Sequence, residues 1–137
     1  MKKSILVLFL CCFAVGSVFT QSQISRERYT ATSWVMTYND GYSVNLASTI
    51  QNLYITEYSN NTFRIEYVSV RDGRQDQVSV ILSNPRSLPR RGAYSYDIKS
   101  GFNTIGTAEM WTSDIGGIQY NTYANNGVTV SALLFKR

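Results

Sequence analysis

From Ser33 onward, apolar and polar residues alternate with a period of two, in short runs bounded by turn-forming residues. In FRIEYV, Phe63, Ile65 and Tyr67 fall on one face and Arg64 and Glu66 on the other, as successive residues of a β-strand must. VSVIL repeats the pattern with Val78, Val80 and Leu82, AYSYDI with Tyr94, Tyr96 and Ile98, and VTVSALLF with Val128, Val130, Ala132 and Leu134. No helical period of useful length interrupts these runs, so the expected class is all-β.

Asp72-Gly73 and Asn126-Gly127 are pairs that accept positive φ at a hairpin tip, and Gly116-Gly117 serves the same purpose after Trp111. Between such turns lie SWVMTY, LYITEY, TFRIEYV, QVSVIL, GAYSYDI, GTAEMWT, GIQYNTY and VTVSALLF. Short connections follow every strand but the first, which predicts an eight-stranded up-and-down antiparallel β-barrel. Closure removes the two exposed edges and leaves an interior for side chains or one small ligand. A β-sandwich is the alternative arrangement.

The first 20 residues break the pattern. Lys2 and Lys3 precede an apolar run from Ile5 to about Val15, then small and polar residues, the plan of a secretory signal peptide. The run is shorter than the roughly 20 residues a bilayer needs, so no membrane span is expected. Residues 21–137 then form a single domain of ordinary size, expected to be secreted and extracellular.

Both cysteines, Cys11 and Cys12, fall inside the leader, and the chain has no histidine. A Ser-His-Asp triad, a Cys-His pair and an ordinary zinc site are thereby excluded. No disulfide is left to supply stability, so a packed core must. Without Lys2 and Lys3, 11 basic residues face nine acidic ones, a balance with no nucleic-acid signature. The residues point to no enzyme, no metal site and no cofactor.

The strand order and three short motifs resemble the lipocalins. RYTATSWVMTYND is similar to their first-strand motif through Tyr29 and Trp34, with Thr32 where they carry glycine. WTSDI resembles their Thr-Asp-Tyr motif, with Ser113, Asp114 and Ile115, and LLFKR offers Arg137 for their closing arginine. The resemblance implies a barrel that binds a small hydrophobic or amphipathic ligand and carries it. It also implies that Arg137 stacks on Trp34 at a closed end.

Candidate site residues follow from the inner rows. Phe63, Ile65, Tyr67, Val80, Leu82, Tyr94, Tyr96 and Met110 form the expected lining, since a pocket for an amphipathic molecule combines apolar area with a few placed polar groups. In GIQYNTY one phase turns Gln119, Asn121 and Tyr123 inward, adding Tyr123 to that lining; the other turns Ile118 and Tyr120 inward, and the run itself leaves both open. Asp114 reads as a turn former rather than a metal or acid–base carboxylate, because no partner stands near it in sequence. Asn60-Asn61-Thr62 is a glycosylation sequon at an expected hairpin tip. NPRSLPRRGAYS places Arg86, Arg90 and Arg91 in one loop, a solvated segment or a rim that steers anions. Two non-enzymatic functions are carried forward: a secreted carrier, and a secreted structural or interaction module with a filled barrel that contacts a protein partner or a second copy of itself.

Overall fold

A computed structural model describes residues 22–137; the expected signal peptide lies outside them. Nine strands follow in chain order: β1 Gln23–Thr37, β2 Ser43–Asn45, β3 Ile50–Tyr58, β4 Phe63–Arg71, β5 Arg74–Ser87, β6 Tyr94–Ser100, β7 Asn103–Thr112, β8 Ile118–Ala124 and β9 Thr129–Lys136. β1 and β3 to β9 pair antiparallel in sequence order, and β1 pairs with β9 to close an eight-stranded barrel. β2 lies outside the ring on the edge of β1. The closed barrel is the predicted architecture, and the sandwich alternative is ruled out by that closing pair.

The turn chemistry explains the connections. Asp72 and Gly73 both have positive φ, +51° and +75°, as a two-residue hairpin needs. Four other tips share a three-residue loop whose last residue is left-handed. Their left-handed residues are Gly41, Asn61, Gly116 and Gly127, and in each the residue N–H bonds back to a carbonyl three residues earlier. A side chain costs most at such a position, which is why glycine or asparagine holds it.

Five register shifts between paired strands let a period-two pattern wrap a closed wall, and three of them centre on Thr32, Asn52 and Asn84. Thr32 is the extra residue between the pairs Ala31↔Leu134 and Ser33↔Leu133, and its hydroxyl donates to the Leu133 carbonyl at 3.3 Å. Ala31 and Trp34, three residues apart, consequently both face inward and are buried. Asn52 on β3 and Asn84 on β5 bulge with φ of +52° and +56°. Pro85, which has no N–H for a ladder, sits beside the second bulge.

The inner rows meet across the lumen. Ile65, Leu82, Ala108 and Leu134 are each 0 % exposed, and Leu53 is nearly so. These residues fill the barrel's waist, so its interior is divided rather than one through-cavity. At roughly 25 cal/mol per Å² of apolar area, each large side chain here contributes about 1.5–3 kcal/mol toward folding.

Candidate functional site

The waist separates two cups that open at opposite ends. The first, the Trp34 cup, is a cavity of about 430 Å³ at the end bearing the 38–42, 71–74, 100–103 and 124–128 loops. Trp34, Tyr67 and Tyr120 line it beside the waist. Trp34 is edge-on to Tyr67 at 5.0 Å and tilted against Tyr120 at 6.0 Å. Its walls are Met36, Val78, Val80, Ile98, Thr122 and Val130, and Tyr38, Ile105 and Val128 stand toward the mouth. No charged side chain lines it. Burial pushes the Tyr67 phenol up to about 12, and Tyr120 upward as well, first by burial and then by the neighbouring Tyr67. Both hydroxyls stay protonated at neutral pH and can donate a hydrogen bond.

The backbone of Trp34 is held by a device the alternation does not show. Asn45 Oδ1 accepts from the Trp34 and Ala47 N–H groups at 3.2 and 3.1 Å, and the Leu46 N–H donates to the Trp34 carbonyl at 2.7 Å. β2 and the short 3-10 turn Ala47–Thr49 thus brace this part of β1.

The second, the Glu57 cup, measures about 260 Å³ and lies at the end bearing the 58–62, 88–93 and 113–117 loops. It is lined by Tyr29, Phe63, Tyr96 and Met110 together with Ser25, Glu27 and Glu57. Phe63 meets Tyr96 edge-on at 5.7 Å. Lys136 Nζ lies 3.3 Å from Glu27 Oε1.

The expected lining is therefore split. Tyr67 and Val80 belong to the Trp34 cup, and Phe63, Tyr96 and Met110 to the Glu57 cup. Ile65 and Leu82 face inward as expected but are packed into the waist and line neither cup. Tyr94 continues the row of Tyr96 and Ile98, yet at the strand's end it is 43 % exposed and lines neither cup.

Tyr123 is a correction. Its register partners are Thr107 and Thr129 on the outer wall, it is 43 % exposed, and Tyr120 takes the inward phase instead. Its pKa is raised first by a hydrogen bond to Glu109, then by partial burial. Gln119 Nε2 donates to Asn121 Oδ1 at 2.8 Å and to Ser131 Oγ at 3.0 Å, so this polar row has partners outside the barrel.

Arg137 is a second correction. Trp34 pairs with Ala132, so Arg137 lies five residues further along the β9 line, roughly 16 Å away at the rise of a strand. It is exposed, and its N–H bonds to the Arg28 carbonyl, not to the Trp34 end. Aromatic residues, not a cation, cover the Trp34 ring.

Asp114 sits exposed in the β7–β8 turn, as expected of a turn position. The closing bonds are backbone ones, Gly116 N–H to Ser113 carbonyl and Ser113 N–H to Gly117 carbonyl, and the Ser113 hydroxyl is buried without a partner. Among the described residues no three histidine, cysteine or acidic side chains gather to hold a metal. Asn60 is exposed at the β3–β4 tip, with its Oδ1 accepting from the Thr62 hydroxyl at 2.6 Å and the Thr62 N–H at 3.3 Å.

The arginines do not form one rim. Arg86 pairs with Asp97 at 3.0 Å on the outer wall, where it and Asn84 hold the Asp97 carboxyl below its usual range. Arg90 lies over the Trp111 ring at 4.9 Å. Trp111 pairs with Gln119 of the outer row and carries Arg90 on its ring, while it also borders the mouth of the Glu57 cup; no described helix is long and apolar enough to cross a membrane.

Comparisons of the chain with protein-family models, with curated proteins and with solved structures find no match.

Proposed function

We propose that this chain is a secreted, lipocalin-like carrier that binds one small neutral ligand, apolar over most of its surface, in the Trp34 cup. The observation that carries the reading is the cup's lining: about 430 Å³ of apolar wall with two protonated phenols and no charge. That volume lies within the range of small-molecule pockets. The phenols suit one hydrogen-bond acceptor, such as a carbonyl or hydroxyl oxygen. An ionised carboxylate buried there would find no counter-ion, and desolvating it would cost several kcal/mol. The carrier selects retinoid-like or pigment-like neutral molecules over fatty-acid anions.

Tryptophan fluorescence tests this. In a Trp111→Phe protein only Trp34 emits, and retinol should quench it saturably while palmitate at neutral pH does so much more weakly. Absence of quenching by any neutral apolar probe overturns the carrier reading. The solid waist of Ile65, Leu82 and Leu134 favours a second reading, an interaction module that works through exposed rim residues such as Tyr42 and Phe102. In that case the probes do not bind, and the free protein associates with a protein partner or with itself.

A further inference from the structure

The Glu57 cup differs in chemistry from the carrier cup and is separated from it by the waist. Antiparallel pairing of β1 with β3 sets Glu27 opposite Ile55 and Glu57 opposite Ser25, so the two carboxylates occupy diagonal positions on the lumen face. Lys136 neutralises Glu27. Among the described residues no lysine or arginine forms an ion pair with Glu57. An aromatic wall faces it: Tyr29 on β1, Phe63 on β4 and Tyr96 on β6. Both phenols are raised, Tyr29 by burial against the opposing field of Lys136, then by Glu27 and Glu57, and Tyr96 by burial, Tyr94 and then Glu57. Glu57 thus acts on rings that belong to two different strands across the lumen.

We propose that the Glu57 cup is a second binding site, for a small organic ammonium ion carrying an aryl or short alkyl group. The ammonium places its N–H donors on the Glu57 carboxylate and the phenol oxygens of Tyr29 and Tyr96. The ring faces of Tyr29, Phe63 and Tyr96 attract the same cation through their quadrupoles. Met110, Ile55 and Ile118 receive the apolar tail. An anion would be repelled by Glu57, and a neutral molecule would desolvate the carboxylate without a partner. The barrel then holds two ligands of opposite preference, a neutral one at the Trp34 end and a cation at the other.

The experiment is calorimetric titration of the full chain, freed of its leader, at pH 7 with phenethylamine and, separately, with 3-phenylpropanol, a neutral molecule of similar size. The native protein should bind the amine at least about tenfold more tightly than the alcohol, the factor expected when a charge-assisted pair is formed. Glu57→Gln should erase that preference while the melting temperature stays unchanged. Val80→Trp, which fills the other cup, should leave amine affinity within about twofold. Equal affinity of native protein for both probes, no amine binding at millimolar concentration, or loss of amine binding in Val80→Trp overturns the proposal. The amine-to-alcohol comparison needs no variant, so it decides the matter even if Glu57→Gln fails to fold. Because the carrier reading is tested by retinol in the other cup, either site can fail alone.

Discussion

The two cups are cut from the same strands, yet they share almost no chemistry. β4 gives Tyr67 to one and Phe63 to the other, with Ile65 between them in the waist, and β1 gives Trp34 and Met36 to one, Tyr29, Glu27 and Ser25 to the other. The inner row of a barrel strand is therefore not one functional surface. It reads as cup, plug, cup along its length, and the two cup segments are free to take different chemistry because the waist supplies the stability. The rims differ too. At the Trp34 end the Asn39 amide donates to the Asn126 carbonyl at 2.8 Å and the Asn125 amide to the Thr104 carbonyl at 3.0 Å, tying two loops to each other and to the start of β7. At the other end the Asn60 bonds stay within one turn.

The largest expected effect breaks the Trp34 cup. Trp34 is almost wholly buried against Tyr67 and Tyr120, so Trp34→Ala should cost about 3–5 kcal/mol in chemical denaturation. Trp111→Ala removes a half-buried ring beneath Arg90 on the outer wall and should cost roughly 1–2 kcal/mol. Losses of equal size would show that Trp34 does not support the cup.

Alkaline pH should separate the ends next. Tyr67 ionises near 12 in the folded chain against 10 when unfolded. Burial penalises only the ionised phenol, so the folded chain keeps its full stability below pH 10 and loses it as pH rises from 10 through about 12. Tyr67→Phe should flatten the fall in urea midpoint across that window, whereas Tyr29→Phe, at the more open end, should change the slope less. An unchanged slope in Tyr67→Phe would show that its phenol is not shielded by the Trp34 cup.

A smaller effect on stability, with a larger one on binding, is expected at Val80. If the Trp34 cup is empty space, Val80→Trp abolishes retinol binding and moves the melting temperature little. Were the space filled, overpacking would cost about 1–3 kcal/mol instead.

The strands and turns were legible because each depends on a few neighbouring residues. FRIEYV fixes its own inward face, and Asp72-Gly73 its own turn. Placing Trp34 and Arg137 together needed the β1–β9 register, a long-range property that LLFKR does not contain. The phase of β8 was ambiguous because both rows carry a tyrosine, and it is settled by Ile118 and Tyr120 facing Leu134 and Ala132. The divided interior was not legible either. Whether Ile65, Leu82, Leu134 and Ala108 meet depends on the barrel's diameter and stagger, and on bulges at Thr32, Asn52 and Asn84 that break the period the sequence suggests. The carboxylates of the Glu57 cup escaped notice for a simpler reason: Glu27 precedes the first run that alternates clearly, and Glu57 reads as an ordinary polar strand residue.

The smallest expected effects lie at the rims, where one turn at each end is closed by an asparagine oxygen. Asn60 Oδ1 accepts from the backbone and hydroxyl of Thr62, and Asn126 Oδ1 from the Val128 N–H at 3.1 Å. Removing either oxygen should cost about 1 kcal/mol, a single net hydrogen bond. The Asn60 change should cost more, because Thr62 is buried and its hydroxyl would lose its partner. Asn60→Asp keeps the acceptor while removing the amide on which a glycan would be built. It should therefore melt with the unglycosylated native protein, and Asn60→Ala should melt a few degrees lower. In material secreted by a eukaryotic host, a loss of mass on Asn60→Asp would show that the sequon at the Glu57 end is used. If Asn126→Ala proves the more damaging of the two, the rim of the Trp34 cup, with its cross-loop bonds, is the stiffer end of the barrel.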